Sequence, residues 1–343
     1  NLRCEAREKR AEPTQGKQAP RKLKVMVLEG TPYQRGLIHG KTMKDQIHQL
    51  VRLWKAQLAD VFKTDADVFI KRFAKQTEYV AAMKKWTPDL LEEVKGIAEG
   101  AGIDYETMLV FQFGDECAGE AITGERCSSL GFGKTDKQPA MVAQNMDIES
   151  YYDGFQMVLH IKHKDSDLES FALSIPGCVG LCGMNNQRIG ICCNALAQVN
   201  YARKGLPVVA IVRGVLQQGT EKEAVAFLQR VEHASGQNYV IAGPEYVYSF
   251  ECSANQIKPF QPEGRKDIVW HTNHPLANDD YNAAYRALRE EKEHEKLEAN
   301  TWARMQCLEK HLTKDSPVRD LNLIKKALAA KDSTDHPVSR PKG

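Results

Sequence analysis

Cys127 has the neighbours that point most directly to chemistry. Two small hydroxyl residues, Ser128 and Ser129, follow it and open an apolar stretch that runs to Phe132. A polar turn, Lys134 to Gln138, leads into a second apolar run that ends in Gln144, Asn145, Met146 and Asp147. Read as a hairpin, the two runs lie side by side, so Cys127 at the start of one meets Asp147 at the end of the other. A thiol, an amide and a carboxylate then share one edge of a sheet. Nearly everything before Cys127 reads as helix, and nearly everything just after it reads as strand. That change of regime suggests that the chain is cut at the cysteine.

A cysteine at a newly made N-terminus is a self-contained nucleophile. The free thiol titrates near ~8.5 and an α-amino group near ~7.7–8.0, so the amine can take the thiol proton and return it to the leaving group without a histidine. A free amine at Cys127 requires the Arg126–Cys127 bond to break. The same thiol can attack the Arg126 carbonyl, giving a thioester that water opens. Asp147 can accept a hydrogen bond from the α-ammonium or the thiol and hold it in orientation. By itself an aspartate at a strand end reads as a turn former. Acyl transfer also needs donors for the oxyanion, and the amides of Asn273 and Asn194 are the candidates. Asn273 lies in HTNHP (His271–Pro275), and Asn194 follows the buried run containing Cys192 and Cys193. Asn145 is a candidate for holding the turn beside Asp147.

The elements that must position these residues come in blocks. Leu23–Leu28 reads as a strand. Thr31 and Pro32 then cap a helix, with apolar residues at helical spacing through Leu50, Leu53, Trp54, Leu58 and Val61. Further helices are predicted over about Asp65–Lys85, from Thr87-Pro88 to Gly100–Gly102 with the same capping logic, and over Asp104–Phe113. After Cys127 the strands are Ser128–Phe132, Ala140–Asn145, Phe155–His160, Ser170–Ser174 and Gly190–Cys193. Helices Pro207–Gln217 and Glu221–Val231 follow, then strands Asn238–Ala242, Val247–Cys252 and Ile268–His271. A charged helical segment from Asp280 to about Leu312, containing the solvated run Arg289–Lys296, precedes a helix near Val318–Ala330. Strands in groups, then helices, then strands suggest sheet packed on sheet with helices outside; periodicity alone gives only an α+β chain.

Composition limits the function classes. The chain has 343 residues, 42% hydrophobic and 27% charged, with a net charge of +2. That is an ordinary globular balance with no global field for nucleic acid. No apolar run approaches the ~18 residues of a membrane span. The nine cysteines do not read as a disulfide framework. Neither Cys178, Cys182 and the 192/193 pair nor the two His-x-x-His pairs (160/163 and 271/274) carries a convincing ligand spacing, so no metal is expected. The stretch Ser128–Thr135 ends like a phosphate loop but lacks its first glycine. Residues 1–22 read as a disordered tail. A chain that starts at Asn1 rather than Met is expected to follow a removed segment, which leans towards export.

Four stretches together resemble the cysteine N-terminal-nucleophile (Ntn) amidases, most closely the isopenicillin N acyltransferase-like family, related to bile salt hydrolases and penicillin V acylases. They are EGTPYQRGLIHG (Glu29–Gly40), TPDLLEEVKGIAEGAG (Thr87–Gly102), Arg126–Ser129 with AQNMDIE, and HTNHP. The resemblance implies a four-layer αββα sandwich with an N-terminal helical pro-segment. Autocleavage would separate a small subunit, residues 23–126, from a large catalytic one, residues 127–343; the family usually carries further strands after a segment like His336–Gly343, so the sequence here is expected to be either a fragment or built differently at that edge. It further implies an amidase acting on an N-acyl amino acid, peptide or β-lactam side chain, with acyl-CoA-dependent N-acyl transfer and unprocessed ligand binding as the alternatives. Its partners would be a small acyl-amide or peptide substrate and its own two subunits, with a homo-oligomer left open, and no cofactor. Matched to the family, Asn273 supports the tetrahedral intermediate and Asn194 is the second asparagine. Bile salt hydrolases have an arginine where this chain has Gln144, which argues against bile salts.

Overall fold

The computed structural model describes residues 22–118, 127–314 and 317–339. The expected tail, apart from Lys22, and Arg126 lie outside them. The first strand, β1 (Lys24–Leu28), precedes seven helices: α1 (Pro32–Thr42), α2 (Lys44–Phe62), α3 (Ala66–Gln76), α4 (Tyr79–Trp86), α5 (Pro88–Ala101), α6 (Tyr105–Phe111) and α7 (Gly114–Ala118). Strands β2 (Ser128–Phe132), β3 (Met141–Asn145), β4 (Met157–Lys162), β5 (Glu169–Ser174), β6 (Cys182–Asn185) and β7 (Gly190–Ala195) follow. Next come α8 (Val208–Leu216), α9 (Glu221–Arg230), β8 (Gln237–Ala242), β9 (Val247–Cys252), β10 (Ile257–Pro259) and β11 (Ile268–His271). Three helices close the described chain: α10 (Ala283–Glu290), α11 (His294–Thr313) and α12 (Leu321–Leu328).

Among the described residues the strands make two sheets. The larger has eight strands in the order β1-β4-β5-β6-β7-β8-β9-β10, and the smaller has three, β11-β2-β3. β1 pairs with β4 in parallel, and the other pairs are antiparallel. The N-terminal segment is therefore more than a helical layer, because it supplies one edge of the large sheet. The small sheet packs on β7, β8 and β9, while α8 covers β6 and β7 from the large sheet's other side. α11 and α12 cover the small sheet. Strand β2 is buried along its whole length because it is covered on both faces. Leu130 and Phe132 join Trp270, Met305 and Leu308 on the helix side. Gly131 faces the other way, where a Cβ would stand 2.5 Å from Val247 Cγ2.

Several helices differ from the sequence expectation. The first is broken at Met43, between α1 and α2, and the second divides into α3 and α4. Thr31 caps α1 in a capping box with Gln34, as expected. Thr87 makes no side-chain cap for α5, and Pro88 carries that helix start alone. The charged segment splits into α10 and α11 at Lys292, which takes a left-handed conformation (φ 57°). Strands β6 and β10 were not legible, since CGMN and IKP carry neither an alternating pattern nor a β-branched run.

The glycines of GLIHG and KGIAEG have a packing reason. Gly36 and Gly40 of α1 lie against Gly96 and Gly100 of α5, backbone on backbone. A Cβ on Gly96 would stand 2.2 Å from the Tyr33 carbonyl oxygen, and one on Gly40 2.3 Å from that of Ile97. Beside this seam Glu93 of α5 accepts from Arg213 of α8 at 2.8 and 3.0 Å and from Arg35 of α1 at 3.3 Å. Burial works against ionisation of Glu93, yet Arg213 and Arg35 hold its carboxyl below the ordinary value. Gly96→Ala should gain the usual helix propensity but force two backbones apart. We expect a net loss of about 3 kcal/mol, read as a lower urea midpoint with an unchanged slope. A midpoint equal to wild type would show that the seam can open at no cost.

Candidate active site

The β2–β3 ladder pairs Ser128 with Asn145 and Ser129 with Gln144, and β11 sets His271 beside Ser129. Cys127 stands immediately before β2, and Asp147 lies two residues beyond β3, so both occupy the same end of the small sheet. Cys127 is buried, with 7% of its surface exposed. Asp147 is half-buried, and its Oδ2 is shielded from solvent.

Contacts between the sheets bring the asparagines to this end. Ser129 Oγ donates to Asn194 Oδ1 at 2.5 Å. Asn194 is fully buried, and its Nδ2 has no hydrogen-bond partner among the described residues. An unsatisfied buried donor is costly in a native fold and is worth retaining where charge develops. Asn273, just past β11, donates through Nδ2 to the Ala195 carbonyl at 3.0 Å, which leaves its second amide hydrogen available. Its backbone N–H is committed to Thr301 Oγ1 at 2.7 Å, and its carbonyl accepts from Gln198 Nε2 at 2.9 Å. Asn145 points elsewhere. Its amide donates to the carbonyls of Leu328 at 2.7 Å and Val338 at 3.1 Å, tying β3 to the C-terminal segment.

Gln144 clasps the backbone of Cys193. Its Nε2 donates to the Cys193 carbonyl, and its Oε1 accepts from the Cys193 N–H at 3.4 Å. A carboxamide offers one donor and one acceptor, matching the C=O and N–H of a single residue. An arginine there has no acceptor to offer.

Sequence reasoning missed Arg304. It is buried on α11, and its guanidinium joins four groups. Nη1 donates to the Cys127 carbonyl and, at 2.9 Å, to Ser128 Oγ; Nη2 donates to Asn273 Oδ1 at 3.1 Å; Nε donates to Asn300 Oδ1 at 3.0 Å. Glu298, Thr301 and Arg304 form a buried polar row on a helix within the segment read only as charged. No local signal separates such a row from a surface one.

The histidines beside the site are committed. His271 Nε2 contacts Glu251 Oε1 at 2.8 Å. Glu251 also accepts from the N–H groups of Leu276, Ala277 and Asn278 at 2.7, 2.9 and 2.7 Å. Burial opposes its charge, but the His271 bond and the backbone donors hold its carboxyl below the ordinary value. His274 is pushed down to about 3, chiefly by burial, so it is a neutral ring near neutral pH. The His160–His163 pair is spent on Glu169 (2.6 Å) and Ser170 (3.2 Å). Cys192 is held well above the ordinary thiol range by its hydrogen bond with Cys182 and by burial, with Cys127 among the neighbours that add to the shift. It is a neutral thiol, as expected of a buried structural cysteine.

These groups form a buried thiol at a strand start, a carboxylate at the same sheet end, and two asparagine amides linked to it through Ser129 and a fully buried arginine. That set can perform acyl transfer through a thioester. Comparison with known proteins agrees in class. The chain is 25% identical over 224 residues to Protein dcd1A of Dictyostelium discoideum, which covers 57% of this chain and 50% of that protein. It thus spans about half the length of that relative. The family described as acyl-coenzyme A:6-aminopenicillanic acid acyl-transferase matches residues 134–336, from the β2–β3 turn to the segment beyond α12. Its members are acyltransferases and hydrolases, and the chain belongs to this family, the isopenicillin N acyltransferase-like Ntn-hydrolases.

Proposed function

We propose that the protein is an N-terminal-cysteine amidase that cleaves its own Arg126–Cys127 bond and then hydrolyses a linear amide. The observation that carries the reading is the Arg304 fork, which ties the Cys127 carbonyl to Asn273, one of the two candidate oxyanion donors. The stacking of helices, large sheet, small sheet and helices supports the four-layer αββα sandwich. Residues 23–126 become the small subunit and 127–343 the large one.

In this reading the new α-amine takes the Cys127 thiol proton, and the sulfur attacks the amide carbonyl. Asn194 Nδ2 and the second hydrogen of Asn273 Nδ2 receive the oxyanion. The protonated amine passes its proton to the leaving nitrogen, and water opens the thioester. Asp147 orients the α-ammonium, and Arg304 holds the backbone of Cys127 still. Substrates are N-acyl amino acids, short peptides or the side-chain amide of a β-lactam, and no cofactor takes part.

The activity in the family's description favours a second reading, transfer of the acyl group from a coenzyme A thioester to an amine. Both share the acyl-thioester and differ in what attacks it. The test supplies one amide or one thioester donor and measures hydrolysis against transfer as an amine acceptor is raised. Hydrolysis should dominate with either donor. Acylated amine as the main product at millimolar acceptor makes the protein a transferase. No turnover of either donor by a chain beginning at Cys127 overturns both readings.

A further inference from the structure

A second cluster of chemistry-bearing side chains lies at the other end of α11. Cys307 and His311 are four residues apart on this helix, so they stack on one face a turn apart. Asp332, from the segment after α12, reaches across to them. The thiol sulfur, an imidazole nitrogen and a carboxylate oxygen lie within 4.8 Å of one another. Cys307 is buried, His311 half-buried and Asp332 exposed, so the cluster has a floor and an opening to solvent.

Bonding among the three leaves a ligand arrangement in place. His311 Nε2 contacts Asp332 Oδ1 at 2.9 Å, while Lys310 Nζ holds Oδ2 at 2.7 Å. One carboxylate oxygen therefore faces the thiol and the ring, and the other is anchored from outside. One sulfur, one nitrogen and one oxygen ligand are the mixed borderline set that suits zinc rather than magnesium or calcium, which take oxygen alone.

We propose that Cys307, His311 and Asp332 bind a zinc ion, with water as the fourth ligand. Loading replaces the His311–Asp332 hydrogen bond. The ring carries its proton on Nδ1, Nε2 and Oδ1 coordinate, and the Cys307 thiol releases its proton to solvent. Thiolate and carboxylate together balance the dication, and Lys310 keeps its place on Oδ2.

The ion's place in the fold gives it a role. α11 carries Arg304 and Asn300, which reach the Cys127 end of the small sheet. The segment after Asp332 is tied to the same region: Asn300 meets His336 at 3.1 Å, and Asn145 donates to the Val338 carbonyl at 3.1 Å. A metal bridging Cys307, His311 and Asp332 clips this segment to α11 and steadies the helix that presents Arg304. The inference does not depend on the proposed reaction, because none of its ligands touches Cys127.

The experiment uses the full chain, stripped with a chelator and titrated with cobalt(II) as a spectroscopic stand-in for zinc. One cobalt per chain is expected, with a thiolate-to-cobalt charge-transfer band that equimolar zinc removes. Zinc should also raise the melting temperature by several degrees, because it binds only the folded state. Cys307→Ser should lose the band and the thermal shift. Asp332→Ala, at an exposed position that leaves the core intact, should weaken cobalt binding at least tenfold, and it decides the matter if Cys307→Ser does not fold. Absence of the band in wild type, or a band that persists in Cys307→Ser, overturns the proposal. The latter would place the metal on other thiols, such as Cys182 and Cys192.

Discussion

Cys127→Ala should leave the chain in one piece at its full 38.5 kDa and without amidase activity. Wild type should run as two fragments, the larger beginning Cys127-Ser128-Ser129. Both effects have one cause: the sulfur that attacks the Arg126 carbonyl during processing is the sulfur that takes the acyl group in each turnover. The loss of kcat should exceed about 10⁴-fold, since nucleophile and base are removed together when no α-amine is released. The substitution removes one atom from a buried site, so folding should survive with a cost of about 1 kcal/mol. Edman sequencing and intact mass check the processing half, and amine release from an N-acyl amino acid checks the other. A wild-type chain that stays whole yet is fully active would sink the N-terminal-nucleophile reading. A processed Cys127→Ala chain would show that another group makes the cut.

Arg304→Met should be the next most damaging change. It keeps length and bulk but removes every donor from a pocket where the Cys127 carbonyl, Ser128 Oγ, Asn273 Oδ1 and Asn300 Oδ1 converge. Each buried acceptor left unpaired costs about 1–3 kcal/mol, so stability should fall by about 3–5 kcal/mol in total after relaxation. Activity should fall further than stability explains. With the fork gone, Cys127 and Asn273 are no longer held to one frame, and kcat/KM should drop about 10²–10³-fold, mostly in kcat. Arg304→Lys should recover part of the stability and little of the rate, because an ammonium cannot span these acceptors as a planar fork does. Urea unfolding and steady-state kinetics on the two variants separate the effects. A kcat within threefold of wild type in folded Arg304→Met would reduce the arginine to packing.

These two predictions differ in where their residues became visible. Cys127 stands out in the sequence because its signal is local: a polar turn between two short apolar runs, and a switch from helical to alternating pattern. The hairpin it implies is the β2–β3 ladder, with Ser128 opposite Asn145. Strands Ser128–Phe132 and Ile268–His271 were read with the bounds they have, since each is a short apolar run closed by turn residues. Helix α5 was legible from Pro88 and from Gly102, which takes the left-handed C-cap.

Arg304 was invisible for the opposite reason. It lies 177 residues from Cys127, beyond the charged run Arg289–Lys296 of the same helical segment, and its burial is decided by the small sheet laid against α11. Strand pairing order shows the same limit. β1 lies beside β4, with the whole helical block between them in the chain. Short-range patterning can state that an element exists, but it cannot choose its distant neighbour. The sequence by itself determined the nucleophile candidate, its carboxylate companion and the α+β character, because periodicity and turn chemistry act over a few residues. Only the tertiary structure decided that Asn145 serves the C-terminal segment, that Asn194 keeps a buried donor unspent, and that an arginine from α11 closes the site. Each depends on which surfaces of distant elements meet, and burial in a packed interior, rather than residue type, sets what a polar group there must do.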